Sequence, residues 1–289
     1  MERNMICGIF AAAAVAVLVL TSCVKDTLYN TPHPDTGTVA LTADFTQRGQ
    51  SAGIPAEYSV RHVCCGTEEH CTMPQSGENI LPWNLTPGTH KLHAWTSCAG
   101  TEVKDGTVMV EETSSGMVTS MPGYLFAGAV DVEAVRDDTV HVALPMFQRT
   151  RDLQFSLAVT EGDPELISSV SGTLSGIAGS FSLAQLQVTG DPVGTSILFV
   201  RKGASLTAAA RLLGVMGQSQ TLTLEIRFTD RADVHRIDVD LTDAMSGFNV
   251  DMTTARVVMG NVETPVGMDA AANITGWKDV EGESEDAVM

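Results

Sequence analysis

The stretch Thr221-Leu-Thr-Leu-Glu-Ile-Arg-Phe-Thr229 decides the fold class, because its apolar residues fall at every second position. Successive side chains of a strand point to opposite faces, so this period predicts a strand with one buried face. The stretch His235-Arg-Ile-Asp-Val-Asp-Leu241 has the same period, and Asp230-Arg-Ala-Asp233 lies between the two. Two alternating stretches joined by a short polar segment predict an antiparallel hairpin.

The same alternation recurs along most of the chain, interrupted by glycine, proline and aspartate. No long stretch has the 3.6-residue period of a helix, so an all-β chain is predicted. One short helix is expected near Pro164, with Asp163 as its N-cap. Strands are predicted at 38–45, 57–65, 91–97, 107–111, 129–135 and 139–144, and then at 152–161, 172–177, 181–188, 196–201, 205–213, 220–229, 234–241 and 249–258.

The amino-terminal residues are typical of an export signal. An apolar run covers residues 9–20, and a helix of that length would span only about 18 Å, short of a hydrocarbon core of roughly 30 Å. The following Leu20-Thr-Ser-Cys23 resembles the lipobox of bacterial lipoproteins. That resemblance implies attachment of diacylglycerol to Cys23, cleavage before it and acylation of the new terminus, which would hold the chain stably at a membrane. The alternative is an ordinary signal with a coincidental cysteine.

The length of 289 residues, with 44% hydrophobic and 5% aromatic residues, predicts two domains with aliphatic cores. The strand pattern on both sides of residues 145–151 favours β-sandwiches. The expected organisation is a signal peptide at 1–22, a lipidated tether at 23–37, an N-terminal β-sandwich at 38–148, a C-terminal β-sandwich at 149–265 and an acidic tail at 266–289.

The charge of the chain argues against nucleic acid as a partner. Lysine and arginine number 17 against 35 aspartates and glutamates, a formal net charge of −18. Binding to phosphates or to anionic lipid heads requires a basic surface. Membrane association is therefore expected through the lipid on Cys23 alone.

The cysteines are expected to form disulfides. Cys7 would leave with the signal peptide and Cys23 would carry the lipid, so four of the six cysteines would remain. An even number in an exported chain permits disulfides. Two bridges have three possible pairings, of which a bond between neighbours is the least favoured, because its geometry is strained. The cysteines available for these disulfides are Cys64, Cys65, Cys71 and Cys98.

Four histidines accompany these cysteines within residues 61–98. Zinc takes four nitrogen or sulfur ligands, but the spacing lacks the paired Cys-x-x-Cys of a ribbon or finger. Disulfides, with exposed strand histidines, explain the residues more simply than a metal site, and free thiols are the third alternative. No metal site and no cofactor are predicted.

No catalytic residues are predicted either, and the chain is not expected to be an enzyme. The stretch 238–243 spaces three aspartates like part of a calcium loop but lacks its glycine and its twelfth-position glutamate. The stretch Gly172-Thr-Leu-Ser-Gly is not the Gly-x-Ser-x-Gly turn of a hydrolase, and His-Glu-x-x-His is absent from the sequence.

Four stretches stand beside the lipobox cysteine, the polar tether and the acidic tail: Pro122-Gly-Tyr-Leu-Phe-Ala-Gly128, Arg151-Asp-Leu-Gln-Phe155, Leu174-Ser-Gly-Ile-Ala-Gly179 and Ile274-Thr-Gly-Trp277. In these features the mature chain as a whole resembles the fimbrillin and fimbrial-anchor lipoproteins of Bacteroidetes, the FimB/Mfa-type superfamily. This resemblance implies two transthyretin-like or Ig-like β-sandwich domains in tandem after a lipoprotein signal peptide.

The resemblance also implies a function. It predicts a cell-surface lipoprotein of the outer membrane that serves as a fimbrial anchor, accessory or structural subunit and binds other fimbrial subunits by adding a strand to an open sheet. A surface lipoprotein that binds glycan or another small ligand in nutrient uptake is the alternative. With three tryptophans and three tyrosines, the sequence provides few aromatic platforms for a sugar.

Overall fold

Strands and the turns between them make up nearly all the described residues of the computed structural model, which are 33–113, 115–264 and 273–281. Within these ranges the helical structure is one 3-10 turn, Pro164–Leu166, and no helix is long and apolar enough to cross a membrane. The predicted all-β fold is confirmed. The strands are β1 (Thr38–Asp44), β2 (Glu57–Cys64), β3 (Thr67–Pro74), β4 (Glu78–Ile80), β5 (Gly88–Trp95), β6 (Thr101–Lys104), β7 (Thr107–Val110), β8 (Met117–Val118), β9 (Phe126–Ala134), β10 (Thr139–Pro145), β11 (Phe147–Gln148), β12 (Arg151–Glu161), β13 (Ile167–Ser182), β14 (Gln187–Lys202), β15 (Ser205–Leu212), β16 (Thr221–Phe228), β17 (Val234–Asp240), β18 (Arg256–Glu263) and β19 (Asn273–Glu281).

Two sheets of the first half of the chain enclose an apolar core, here called the first core. The three-stranded sheet has the order β10-β1-β4, and the five-stranded sheet has the order β11-β9-β5-β2-β3. β1 and β10 run parallel. Alternate side chains of both sheets meet in the first core, which includes Leu41, Leu144, Tyr58, Val60, Leu92 and Val132.

The second half forms eight strands of an eleven-stranded sheet, in the order β17-β16-β13-β14-β15-β12-β18-β19, and β6, β7 and β8 of the first half complete this sheet. Most of β14 pairs with β13, and its last three residues pair with β15. The sheet therefore folds over at β14 and encloses a second core of alternating residues from its two layers. β12 and β18 are parallel, which repeats the β1–β10 arrangement. The second core includes Leu153, Phe155, Leu174, Leu222, Leu224, Ile226 and Val258.

A third core lies where strands from the two halves meet. The β6–β7 hairpin belongs to the first half in sequence, but β7 pairs with residues 180–182 of β13. Trp95 and Leu125 pack there with Phe181 and Leu213. The described residues from 36 onward consequently form one compact unit. The domain boundaries at 38–148 and 149–265 stay a prediction, and those of the signal peptide and tether lie almost wholly outside the described residues.

Most predicted strands are present, and the predicted helix is the observed 3-10 turn, where Asp163 accepts a hydrogen bond from the backbone N–H of Glu165 at 2.9 Å. The break predicted between 177 and 181 is wrong. β13 continues through it, because Gly176, at φ +75°, sits at a shift in register that bends the strand without ending it.

The strand predicted at 249–258 is also misplaced. Residues 242–250 form turns, and β18 begins only at Arg256. Met245 and Phe248 in these turns are buried in the second core. Apolar residues in this part of the chain therefore belong to turns that cover the core and not to a strand. β19 lies within residues 266–289, so part of the stretch assigned to the acidic tail forms a strand.

Candidate functional site

The β2–β3 hairpin carries three of the four cysteines predicted to form disulfides. Its two-residue turn is Cys65-Gly66, and both residues have positive φ, 55° and 81°. Positive φ at both positions defines a type I′ turn, which matches the twist of the flanking strands. The turn brings the sulfur atoms of Cys64 and Cys65 to 3.2 Å from each other.

The other two cysteines occupy separate surroundings. Cys71 packs against the first core, and burial raises the pKa of its thiol to about 11. Cys98 packs against the third core and its sulfur lies 3.2 Å from Thr101 Oγ1. All four cysteines are free thiols in the structure. The disulfides stay a prediction, and Cys23 lies outside the described residues.

Two histidines beside this hairpin are buried, against the expectation of exposed strand histidines. His62 on β2 and His90 on β5 are 5% and 7% exposed. His62 Nε2 lies 3.0 Å from His90 Nδ1, and His90 Nε2 donates to the carbonyl oxygen of Thr86 at 2.7 Å. Strand alternation already carries this signal, because His62 shares a face with Tyr58 and Val60 of the first core.

The remaining two histidines of this region have other contacts. The ring of His70 stacks on Trp95, with centroids 5.4 Å apart. His93 Nδ1 lies 3.0 Å from the carbonyl oxygen of Leu183, and burial lowers the pKa of His93. The four histidines therefore do not converge on one point.

A polar cluster joins Tyr124 from the first half to two residues of the second. The Tyr124 hydroxyl donates to Asp152 Oδ2 at 2.6 Å, and Arg211 Nε donates to Asp152 Oδ1 at 2.7 Å. The Arg211 guanidinium also lies over the Tyr124 ring, 3.6 Å from its centroid. Burial and the neighbouring Asp152 raise the pKa of Tyr124, so the hydroxyl keeps its proton and donates. This Tyr124–Asp152–Arg211 cluster contains residues from two of the stretches that carry the family resemblance.

Several strands offer a free edge to a further strand. Among the described strands of seven or more residues, β3, β10, β17 and β19 pair along one edge only. Charged residues protect most of these edges against chance pairing: β3 carries Glu68 and Glu69, and β17 carries Arg236, Asp238 and Asp240. β10, with the sequence Thr-Val-His-Val-Ala-Leu-Pro, has no aspartate, glutamate, lysine or arginine.

The side chains of β10 also cover the first core incompletely. Val140 and Val142 are only partly buried against it. An unpaired, uncharged edge beside partly covered apolar side chains is the arrangement that an added strand requires, because main-chain bonds and side-chain contacts then form together. β10 is therefore the strand edge best suited to bind another chain.

Solved structures share this fold. The fimbrial anchor protein Mfa2 from Porphyromonas gingivalis is 13% identical with a TM-score of 0.61, and the match covers 86% of this chain and 98% of that one. A protein from Bacteroides ovatus described as a candidate adhesin is 12% identical with a TM-score of 0.60, covering 90% and 97%. A candidate polysaccharide-binding protein from Bacteroides thetaiotaomicron is 11% identical with a TM-score of 0.60, covering 78% and 92%. At these identities the likeness shows the fold alone.

The sequence itself identifies the class of protein. Residues 67–281 match the model of a family described as fimbrillin-A associated anchor proteins Mfa1 and Mfa2, while no curated protein matches the chain in sequence. The chain is thus a surface protein of the fimbrial, adhesin-like type. It belongs to the family of fimbrillin-A associated anchor proteins, because the match spans most of its length, and the predicted resemblance is confirmed.

Proposed function

We propose that the chain is an outer-membrane lipoprotein of the cell surface that acts as a fimbrial anchor, accessory or structural subunit. The family match over residues 67–281 carries this proposal, because that family is described by its anchoring role in fimbriae. Fimbrial anchors are a non-enzymatic kind of protein, so the proposed role is binding and not catalysis.

The attachment to the membrane is assigned to lipid on Cys23. The lipobox-like stretch ends there, and the first described strand begins at Thr38. The proline-containing segment between them is long enough to hold the fold away from the bilayer. A net charge of −18 gives no electrostatic attraction to anionic lipid heads, which leaves covalent lipid as the means of attachment.

The binding of other fimbrial subunits is assigned to the free edge of β10. A strand from another subunit would extend the order β10-β1-β4 by one, and its apolar side chains would complete the cover of Val140 and Val142. β10 carries no acidic or basic side chain apart from His141. Its own side chains therefore do not select a partner strand by charge.

The aromatic residues give the glycan alternative no support. Sugar sites place aromatic rings at exposed positions, whereas Trp95 and Tyr58 are buried and Trp83 packs against the first core. The ring of Tyr124 is covered by Arg211.

Surface labelling of intact cells, followed by solubilisation and capture of the full chain, tests this function. We expect the captured chain to be labelled from outside and to bring fimbrial subunits with it. A Cys23→Ser chain should be lost from the membrane fraction. Captured, surface-labelled chain that carries no fimbrial subunit would refute the proposal.

Two matched substitutions test the assignment to β10. Val140→Lys places a charge beside the β10 edge, and Val234→Lys places the same charge on β17, another edge strand. We expect Val140→Lys to reduce recovery of the partner subunits and Val234→Lys to leave it unchanged, with both chains folded by circular dichroism. Equal recovery with both variants would contradict the choice of edge while leaving the fimbrial role intact.

A further inference from the structure

Three potential metal ligands converge at the rim of the first core. The nitrogen atoms of His62 and His90 and the sulfur atom of Cys64 all lie within 4.8 Å of one another. β2 and β5 pair in antiparallel register with His62 opposite Leu92, and continuing that register brings Cys64 opposite His90. The three side chains consequently share one face of two neighbouring strands.

The shift of one hydrogen frees both converging nitrogens to bind an ion. A carbonyl oxygen only accepts, so the hydrogen of His90 is on Nε2, toward Thr86, and Nδ1 has the lone pair. Without an ion, His62 Nε2 donates a hydrogen bond to this Nδ1 at 3.0 Å. When an ion binds, the hydrogen of His62 moves to Nδ1, which lies 3.4 Å from Glu69 Oε2, and Nε2 gains a lone pair directed at the ion. Metal-binding histidines usually have such a carbonyl or carboxylate on their second nitrogen.

We propose that His62, Cys64 and His90 form a Zn²⁺ site that links β2 to β5. Zn²⁺ binds imidazole nitrogen and thiolate sulfur, and three protein ligands leave its fourth position to water or another thiol. The exposed Cys65, with its sulfur 3.2 Å from that of Cys64, is the nearest such thiol and lies on the open side of the site. The exposed turn provides the path by which the ion enters.

The distances require little rearrangement. A tetrahedral ion with bonds of about 2.0–2.3 Å separates two nitrogens by about 3.3 Å and a nitrogen from a sulfur by about 3.6 Å. The observed nitrogen–nitrogen separation is 3.0 Å, so the two rings would move apart slightly. Cys64, at the end of β2, would approach by about 1.2 Å at most, since no ligand atom lies more than 4.8 Å from another.

The charges also balance. One Zn²⁺, the Cys64 thiolate and the Glu69 carboxylate sum to zero, which is the condition for placing an ion against an apolar core. Zn²⁺ binds the thiolate and not the thiol, so binding releases the Cys64 proton to solvent, and the affinity for Zn²⁺ should rise with pH.

This site and a disulfide at Cys64 exclude each other, because a bonded sulfur is no thiolate ligand. The proposal is independent of the fimbrial role and is tested on the purified full chain, stripped of metal and kept reduced with a phosphine. Titration with Co²⁺ should show one ion per chain, with the charge-transfer absorption of a thiolate ligand and the intense visible bands of a tetrahedral ion. Zn²⁺ should then displace Co²⁺.

Substitutions locate the ion. Cys64→Ser should weaken the charge-transfer band, the double variant Cys64→Ser/Cys65→Ser should abolish it, and Cys64→Ser and His90→Gln should each weaken Zn²⁺ binding more than tenfold. The matched controls Cys98→Ser and His141→Gln should leave binding unchanged. Glu69→Gln keeps all three ligands and should weaken binding by about 10–100-fold while retaining the band.

The Glu69→Gln result keeps the test valid if a ligand variant fails to fold, as judged by metal-free thermal unfolding. Absence of Co²⁺ and Zn²⁺ binding by the reduced wild-type chain would overturn the proposal. So would stoichiometric binding that Cys64→Ser and His90→Gln leave unchanged, because the ion would then lie elsewhere.

Discussion

Substitution of Tyr124 by phenylalanine removes one hydroxyl group from the Tyr124–Asp152–Arg211 cluster and changes nothing else in the side chain. The hydroxyl donates to Asp152 at 2.6 Å and lies 2.9 Å from Ser51 Oγ. The ring would keep its place under the Arg211 guanidinium, so the experiment isolates the hydrogen bonds.

The expected cost is about 1.5–2 kcal/mol of unfolding free energy. A hydrogen bond to a charged group contributes about 1.5–3 kcal/mol. The lower part of that range applies because the Asp152 side chain is 23% exposed and keeps its ion pair with Arg211, so water and arginine partly replace the lost donor.

Urea unfolding followed by tryptophan fluorescence and circular dichroism measures this cost, and coincident curves from the two probes are needed for a two-state analysis. A double-mutant cycle with Asp152→Ala supplies the control. Tyr124→Phe should cost less in the Asp152→Ala chain, with a coupling energy of about 1 kcal/mol. Strictly additive costs would refute the argument, because they would mean that the hydroxyl and the carboxylate do not interact.

Three further outcomes are expected. Cys23→Ser should move the chain from the membrane to the soluble fraction, and retention in the membrane would contradict lipid attachment at that residue. Partial burial raises the pKa of Asp251, but hydrogen bonds from Thr253 outweigh it and lower the pKa to about 2. Because this pKa is below the ordinary 3.8, the carboxylate stabilises the fold above about pH 4 and that contribution is lost as the pH falls toward 2. Asp251→Asn should reduce the loss of unfolding free energy between pH 4 and pH 2 by about 1 kcal/mol after solvent screening. An unchanged pH dependence would contradict the lowered pKa of Asp251. Iodoacetamide at pH 8 should alkylate the exposed Cys65 first and Cys71 last, since the thiolate is the nucleophile and the pKa of Cys71 is about 11; equal rates in peptide mass spectrometry would disprove the burial of Cys71.

Alternation in the sequence predicted those strands that bury one face and expose the other. Leu222, Leu224 and Ile226 are fully buried, and the residues between them are not. The period of two in the sequence therefore matches the alternation of buried and exposed side chains in the strand. The same holds for β12, where Leu153, Phe155 and Leu157 point inward.

Strands whose two faces are similarly exposed were not predicted. β3 buries only Met73 among its eight residues, and its position depends on the hydrogen bonds it makes with β2 rather than on its own pattern. β6 and β4 are short and mostly exposed. Their partners lie elsewhere in the chain, and a single sequence carries no record of that pairing.

The candidate sites were likewise predictable only in their local features. The positions of the cysteines and the face on which each strand residue lies could be predicted from the sequence. The approach of His90 to His62 depends on the β2–β5 register and on Thr86, and the meeting of Tyr124 with Arg211 depends on how the halves pack. The contacts His62–His90 and Tyr124–Arg211 join residues 28 or more positions apart, and alternation describes only neighbours.

The parallel pairing of β1 with β10 bears on how the protein would carry tension. The two strands run side by side from Thr38 opposite Thr139 to Asp44 opposite Pro145. If the chain is held at Cys23 and pulled through its later residues, the force enters β1 at one end and leaves β10 at the other. It then acts along the strands as shear, so that all the rungs between them must yield together instead of opening one by one. A tether attached at this strand would make the first sheet a clamp against pulling.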